Sequence, residues 1–311
     1  MELTVYRPPE DLARFVEYFW TFEWGPAHAG RTLKMFATGV SGILFQHHDG
    51  RPALGATADG HAVSRGGCPT SFVFGKRTRP SQTFSRGAFG LTGVVFRPQG
   101  LRTLLNMHPT CLSDGSVTLD AISRAQIGEQ LLNARDDHER VDRLSAFLRA
   151  HVDGSGPEDA LVTQSLRLIQ KGIRSIRVPQ LLTRLKVSER QFERRFVRAL
   201  GVSPHQYIRI ARFQEALRLI KTKRFQRLSD VAYDLNYVDQ SHFIKEMKAF
   251  SGYTPTELVQ TVQAGISLPC ALIVAPTDMP CAGGDAPVGP HMGSLQALGL
   301  CASRSLCSQG A

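Results

Sequence analysis

The stretch YVDQSHFIKEMKAFSGYTP, residues 237–255, decides the fold of the C-terminal half of this chain. Asp239 is a residue type that caps helix N-termini, and Gly252 stands where such a helix would end. Between them, apolar residues recur at the three- and four-residue spacing of one helical face: Phe243, Met247 and Phe250. The sequence therefore predicts a helix of about three turns with one buried face.

A shorter helix precedes it. Val231, Ala232 and Leu235 are its apolar positions, and Ser229 is the expected N-cap. Asn236 separates the two helices, and asparagine is one of the few residues that tolerate a left-handed turn conformation. The pattern predicts two short helices joined by a tight turn.

The same arrangement occurs about 50 residues upstream, where a short helix from Val178 is followed by a turn and a second helix capped by Ser188. One amphipathic helix with a basic outer face is weak evidence, because many surface helices have a solvated basic face. Two such units in one chain are stronger evidence for a DNA-binding module. The buried face predicted for the second helix is formed by Phe192, Phe196 and Leu200.

A longer helix connects the units. Ser203 and Pro204 form a capping start, and apolar positions continue to about Lys221. A helix of about 18 residues is roughly 27 Å long, so it can act as a rigid spacer.

Positive charge is concentrated in this part of the chain. Residues 161–262 carry 19 Lys and Arg against 8 Asp and Glu, whereas residues 1–160 carry 17 of each and residues 263–311 carry 1 against 2. A local net charge of +11 is expected of a surface that binds phosphate, although a membrane-surface patch would give the same balance.

These residues resemble the AraC/XylS family of transcription regulators over about 85 positions. The most specific part is the second unit with its Gly-x-Thr-Pro ending. The matching residues are Ser188, Phe192, Arg194, Phe196, Gly201, Ser203, Pro204, Tyr207, Arg212, Ala216, Val231, Ala232, Tyr237, Asp239, Gln240, Ser241, His242, Phe243, Lys245, Gly252, Thr254 and Pro255. Two positions depart from the family pattern, with Asn236 in place of a glycine and Leu182 in place of an alanine.

The resemblance implies a function and a set of contact residues. Helices 189–199 and 240–250 would be recognition helices that read double-stranded DNA at a promoter or operator in the cytoplasm. The further partners to test are RNA polymerase, an unidentified small-molecule effector and a second copy of the chain, and no cofactor is expected. The DNA-binding residues would be Ser188, Arg190, Glu193, Arg194, Arg198, Gln240, Ser241, His242 and Lys245.

The N-terminal region mixes two periodicities. Apolar runs at 41–46, 71–74 and 91–96 predict strands, and the helical spacing of Leu12, Phe15, Val16 and Phe19 predicts a helix. Further helices are expected at 101–105 and 141–148. Tyr6-x-Pro8 and the runs at 15–20 and 93–100 resemble an uncharacterised sensor-like domain that often precedes AraC-type modules.

The fold class predicted from these patterns is an α+β N-terminal domain, followed by an all-α domain with two helix-turn-helix units and a linker helix, and then a disordered tail. The domains would be a sensor or regulatory domain at 1–152, a DNA-binding domain at 161–262 and the tail at 263–311. The tail is rich in Gly, Ala, Pro, Ser and Cys and has only three charges. No apolar run reaches the roughly 20 residues of a spanning helix.

An enzyme is the alternative, because the same DNA-binding module occurs fused to repair domains that transfer an alkyl group to cysteine. Cys68, with Arg65 nearby, and Cys111 are the candidate thiols, and both are more often buried packing residues. Metal ligands could be supplied by His47, His48 and His61, but adjacent histidines on a strand point to opposite faces and no His-x-His with a following Glu occurs. The pattern therefore does not predict a cupin-type metal centre. Arg97 could bind an anionic effector, but backbone carbonyls more often satisfy such an arginine.

Overall fold

The computed structural model describes residues 2–25, 32–48, 54–58, 61–62, 70–85, 87–123, 125–263 and 301–303. The predicted tail lies outside these ranges, apart from Gln263 and a three-residue strand, Cys301–Ser303. Cys68 and Arg65 also lie outside them.

The main sheet of the N-terminal part is antiparallel, with six strands of unequal length. Its order is β1-β2-β9-β4-β7-β10. The strands are β1 (Glu2–Tyr6), β2 (Val16–Trp24), β4 (Gly42–His47), β7 (Ser71–Phe74), β9 (Phe89–Phe96) and β10 (Ser116–Thr118). The strands predicted at 41–46, 71–74 and 91–96 correspond to β4, β7 and β9.

A second sheet has the order β11-β3-β8-β5-β6. Its strands are β3 (Thr32–Met35), β5 (Leu54–Ala58), β6 (His61–Ala62), β8 (Ser81–Ser85) and β11 (Cys301–Ser303), and β11 pairs with β3 in antiparallel register.

Both faces of the main sheet are apolar. Phe19, Ile43 and Val94 lie on the face that packs against helices, and Trp20, Leu44 and Val95 lie on the opposite face. The helices are α1 (Gly100–Leu105), α2 (Leu119–Ile122), α3 (Ile127–Leu132) and α4 (Asp137–Arg149), with a 3-10 turn at Pro109–Leu112.

The helix predicted from Leu12, Phe15, Val16 and Phe19 is wrong. The chain makes a single turn, in which Phe15 N and Val16 N donate to Leu12 O, and then enters β2. All four side chains are fully buried, as the spacing indicated. A strand buried on both faces has a continuous apolar run, and such a run does not distinguish a strand from a buried helix.

Residues 160–263 are helical apart from the turns between their helices. These helices are α5 (Ala160–Lys171), α6 (Val178–Leu185), α7 (Glu189–Leu200), α8 (Pro204–Lys221), α9 (Leu228–Asp234), α10 (Gln240–Ser251) and α11 (Pro255–Gln263). The two helix pairs and the connecting helix confirm the predicted all-α domain. No described helix is long and apolar enough to cross a membrane.

Each helix pair has its own apolar core. Phe192, Phe196 and Leu200 are fully buried in the first core, and Phe243, Met247 and Phe250 in the second. The second core also contains Phe36 and Ala37, which belong to the N-terminal part and lie between β3 and β4. The β-sheet domain therefore completes the core of the second helix pair.

Candidate nucleic-acid interface

The first candidate recognition helix, α7, is fixed at both ends by local backbone chemistry. The hydroxyl of Ser188 accepts a hydrogen bond from Gln191 N at 3.4 Å, which caps the N-terminus. Gly201 has φ +80° at the C-terminus, a backbone conformation that residues with a Cβ atom rarely adopt. Lys186, with φ 51°, makes the tight turn after α6.

The second candidate recognition helix, α10, repeats this design. Asp239 caps it by accepting from His242 N at 2.7 Å, and Gly252 ends it with φ 72°. Asn236 has φ 54°, which confirms the predicted left-handed turn residue. The prediction of Ser229 as the N-cap of α9 is wrong: the helix begins at Leu228, two residues before the start that Ser229 would give, and Arg227 N donates to the Asp230 carboxylate at 2.8 Å.

Three arginines of the C-terminal part have structural partners. Arg195 makes two hydrogen bonds to the carboxylate of Asp159 at 2.8 and 2.6 Å, which ties α7 to the start of α5. Arg209 binds both oxygens of the buried Glu246 at 2.9 and 2.6 Å, which ties α8 to α10. Arg212 donates to the backbone carbonyls of two residues that precede α6. These side chains hold the helices together.

The predicted contact residues of α7 are exposed instead. Arg190, Arg194 and Arg198 follow one another at four-residue spacing and form one outward face of the helix, and Ser188 and Glu193 are also exposed. In the part of the chain that the structure describes, no ion pair engages these arginines. Their guanidinium groups are available to an external acceptor.

The outward face of α10 has one change from the prediction. Gln240, Ser241 and Lys245 are exposed, whereas His242 is half-buried, with its ring 5.6 Å from that of Tyr237 and its Nε2 atom 4.0 Å from Glu246. Ile244 is exposed beside Lys245. The outward face is therefore formed by Gln240, Ser241, Ile244 and Lys245.

Sequence reasoning did not single out Ile244 or two other exposed apolar residues of the second unit. Tyr233 of α9 is 85% exposed, and Val238, just before α10, is 81% exposed. The helical repeat of α10 could have placed Ile244 outside the core, because Ile244 lies off the face that Phe243, Met247 and Phe250 form. Tyr233 and Val238 lie outside α10, and that repeat does not reach them.

The N-terminal part contacts the C-terminal end of both candidate recognition helices. At the end of α7, the Ser113 hydroxyl donates to Gly201 O at 2.7 Å. At the end of α10, Ala37 N donates to Phe250 O at 2.8 Å, and Gln214 of α8 donates to Ala37 O at 2.5 Å. The β-sheet domain thus touches both helix-turn-helix units through hydrogen bonds and through the buried Phe36.

A cavity of 440 Å³ lies between the two parts of the chain. Tyr18, Val95 and Arg97 line it from the sheet, and Ile169 and Tyr207 are among the residues that line it from α5 and α8. Arg97 donates to Ala13 O at 2.7 Å and is 3.2 Å from Glu17, so a backbone carbonyl satisfies it, as expected.

The remaining candidate residues lie apart from this surface. His47 is half-buried and His48 is exposed, in agreement with opposite faces of one strand. Cys111 is exposed and free, on the 3-10 turn. The side chain of His61 is outside the described residues.

Comparison with protein families gives two matches. Residues 181–261 match a helix-turn-helix domain, and residues 4–118 match a domain of unknown function (DUF6597). No curated protein matches the chain.

Solved structures of ToxT from Vibrio cholerae are similar at low identity. One is 12% identical, with 78% of this chain and 97% of that chain covered and a TM-score of 0.44. Another, with a bound unsaturated fatty acid, is from strain SCE256 and is 12% identical, with 77% and 93% covered and a TM-score of 0.43.

The capped helix pairs and the family match define a double helix-turn-helix module, which is a DNA-binding module of transcription regulators. The C-terminal helix pairs are thus similar to a helix-turn-helix domain, and the part of the chain that precedes them is similar to a domain of unknown function.

Proposed function

We propose that this protein is a sequence-specific transcription regulator that reads an operator in double-stranded DNA with α7 and α10. The observation that carries the proposal is the pair of capped helices, each seated on its own core with an exposed polar face. Such a helix fits the major groove of B-DNA, which is about 12 Å wide.

On α7, the guanidinium groups of Arg190, Arg194 and Arg198 would donate to guanine edges or to phosphates. Glu193 can accept from the amino group of cytosine, which an arginine cannot do. Ser188 lies at the N-terminus of the helix, where backbone N–H groups and the helix dipole favour a phosphate.

On α10, the side-chain amide of Gln240 can bind adenine by accepting from N6 and donating to N7, and Ser241, His242 and Lys245 would contact base edges or phosphates. Ile244 adds an apolar group to this face, and the methyl group of thymine is the apolar feature of the major groove. The partial burial of His242 leaves it less reach than its neighbours.

The linker helix supports a two-site mode of binding. α8 contains 18 residues, about 27 Å of helix. Successive major-groove segments on one face of DNA lie about 34 Å apart. One monomer would therefore meet two segments, without the dimer that a protein with a single unit needs.

We further propose that the protein responds to a small-molecule effector through its N-terminal domain. The 440 Å³ cavity is within the size range of ligand sites, and it is lined mainly by apolar side chains with a few polar groups. Any ligand there would touch the sheet as well as α5 and α8, and so could change how the domain holds the two units. We expect a cytoplasmic location and contact with RNA polymerase. We also expect self-association, and sedimentation of the full chain would measure it.

Selection of bound sequences from random double-stranded DNA by the full chain tests the proposal. The selected site should bind more tightly than unrelated DNA by a factor of at least 10³ at physiological salt. No preference among sequences would contradict it.

Arg194→Ala should then weaken binding to the selected site by about 1–3 kcal/mol if Arg194 reads a base, or lower the salt dependence by about one counterion if it contacts phosphate. Arg167→Ala is the matched control, because Arg167 is an exposed arginine of α5 outside both recognition helices and its loss changes the net charge equally. Equal effects of the two variants would argue against a specific role for α7.

A further inference from the structure

Three neighbouring strands bring a carboxylate and an imidazole to the same place on the main sheet. Glu23 of β2 lies opposite Gly90 of β9, and Gly90 in turn lies opposite His47 of β4. The three residues form one row across the sheet. Their side of the sheet is the one covered by helices, because Phe45 and Phe19, two and four residues away along the strands, belong to that core.

The glycine in the middle of the row leaves space between the two side chains. A Cβ atom at Gly90 would lie 2.3 Å from both Cε1 and Nε2 of His47 and 2.6 Å from Oε1 of Glu23. The backbones of two strands that are separated by a third strand lie about 9.6 Å apart, twice the strand spacing of about 4.8 Å. Glu23 and His47 therefore approach one another through the volume that any other residue at position 90 would fill.

A second carboxylate reaches the same point from above the sheet. Asp137 is the first residue of α4, and one ligand atom from each of Glu23, His47 and Asp137 lies within 4.8 Å of the other two. Arg140 holds the Asp137 carboxylate through Oδ1 at 2.7 Å, which fixes its orientation. Carboxylates that bind metals are commonly oriented by a hydrogen bond of this kind.

The Nε2 atom of His47 is placed to bind a metal ion. The imidazole ring stacks on Phe45 with centroids 5.4 Å apart, and its Nε2 atom is buried with no hydrogen-bond partner among the residues that the structure describes. A neutral imidazole is the form that binds a metal, and a buried nitrogen without a partner needs an explanation.

We propose that Glu23, His47 and Asp137 bind one divalent transition-metal ion, with Zn²⁺ as the best match. One imidazole and two carboxylates suit Zn²⁺ better than Mg²⁺ or Ca²⁺, which take oxygen ligands. Ligands about 2.0–2.2 Å from a tetrahedral ion lie about 3.4 Å from each other, and the three ligand atoms already lie within 4.8 Å of one another, so binding requires each pair to close by at most about 1.4 Å. Water would fill the fourth position.

The ion would join parts of the chain that are far apart in sequence. Glu23 and His47 belong to the sheet, and Asp137 begins the helix that covers it. Binding would therefore fasten the start of α4 to β2 and β4 and stabilise the N-terminal domain.

Titration of the metal-free full chain with Zn²⁺ in the presence of a competing coloured chelator tests the proposal. One ion should bind per chain, and His47→Ala should lower the affinity by more than about 100-fold, since loss of a direct ligand exceeds the 10–100-fold effect of losing an outer partner. His48→Ala is the matched control, because His48 is the exposed neighbour on the other face of the strand, and it should leave the affinity unchanged. An equal affinity in wild type and His47→Ala, or no binding by wild type, would overturn the proposal.

Two further variants separate metal binding from folding. Gly90→Ala keeps all three ligands but fills the space between them, and Glu23→Gln keeps the shape of an exposed side chain but removes its charge. Both should lose at least tenfold in Zn²⁺ affinity, while the thermal midpoint of the metal-free protein stays close to that of wild type for Glu23→Gln. Unchanged affinity in Glu23→Gln would count against the site.

The absorption spectrum of the Co²⁺-substituted protein identifies the ligand atoms. Nitrogen and oxygen ligands give visible d–d bands without the near-ultraviolet charge-transfer band that thiolates produce. A thiolate band that disappears when the cysteines are alkylated would place the ion elsewhere and overturn the proposal.

Discussion

Asn236 and Arg209 illustrate how far single residues determine the second helix-turn-helix unit. The left-handed turn at Asn236 follows from local chemistry, since few residues with a Cβ adopt a φ of 54°. The role of Arg209 depends on a partner 37 positions away, Glu246, which is 7% exposed. Sequence alone indicates the first residue but not the second.

Replacing Arg209 with methionine should destabilise the protein. The variant keeps the packing of the side-chain stem but leaves the Glu246 carboxylate buried without its cation, which we expect to cost about 2–3 kcal/mol because Arg209 is itself one-third exposed. Denaturant unfolding of the full chain measures the change.

Arg174→Met is the control for this measurement. Arg174 is 3.9 Å from Asp234, and both side chains are more than half exposed, so its loss should cost less than about 1 kcal/mol. Similar losses in both variants would show that burial of Glu246 does not decide the effect.

At the scale of elements, the sequence predicted the C-terminal helices better than the N-terminal ones. Caps and single buried faces define α7, α8 and α10, and these are local patterns. The segment that enters β2 was predicted as a helix, because burial on both faces of the sheet removes the alternation that identifies a strand. The outward residues of α7 were also predictable from its period, whereas the inward turn of His242 results from contact with Tyr237 and Glu246.

The junction of α5 and α7 gives a pH dependence. Burial of the Asp159 carboxylate raises its pKa, but hydrogen bonds from Arg195 and from the backbone N–H groups of Val162 and Leu161 outweigh burial, and the pKa is lowered overall. A group whose pKa is lower in the folded state stabilises the fold above its unfolded pKa of about 3.9 and loses this effect as the pH falls through the folded value.

Asp159→Asn should therefore lower the free energy of unfolding at pH 7, and the difference from wild type should shrink as the pH falls below about 4. Asparagine remains a good N-cap for α5, so the variant tests the charge. Thermal or denaturant unfolding between pH 3 and 7 measures the difference. A difference that stays constant down to pH 3 would contradict the assignment.

At the scale of the whole molecule, the β-sheet domain is part of the second helix-turn-helix unit. Phe36 is fully buried, with its ring 6.2 Å from that of Phe213 and 6.1 Å from that of Tyr253. This contact is not predictable from the sequence, because Phe36 is 177 positions from Phe213 and 217 positions from Tyr253. The proposed metal site has the same property, since Glu23, His47 and Asp137 are far apart in the chain and no spacing motif connects them.

Phe36→Ala should remove about 3–5 kcal/mol of stability and should loosen α10 and α11 in particular. Hydrogen exchange of the full chain measures both effects, as a loss of protection at 240–263. Phe89→Ala is the matched control, because Phe89 is equally buried but belongs to the sheet core away from the helices. If both variants reduced protection in α10 to the same extent, Phe36 would have no special connection to the second unit.

Hydroxyl-radical footprinting of the full chain on its selected DNA site tests the central claim most directly. Two recognition helices on one monomer predict two protected segments on the same face of the duplex, about 10–10.5 base pairs apart. Arg194→Ala should weaken protection of one segment and Lys245→Ala that of the other. A single protected segment, or loss of the same segment in both variants, would contradict the claim that α7 and α10 read DNA together.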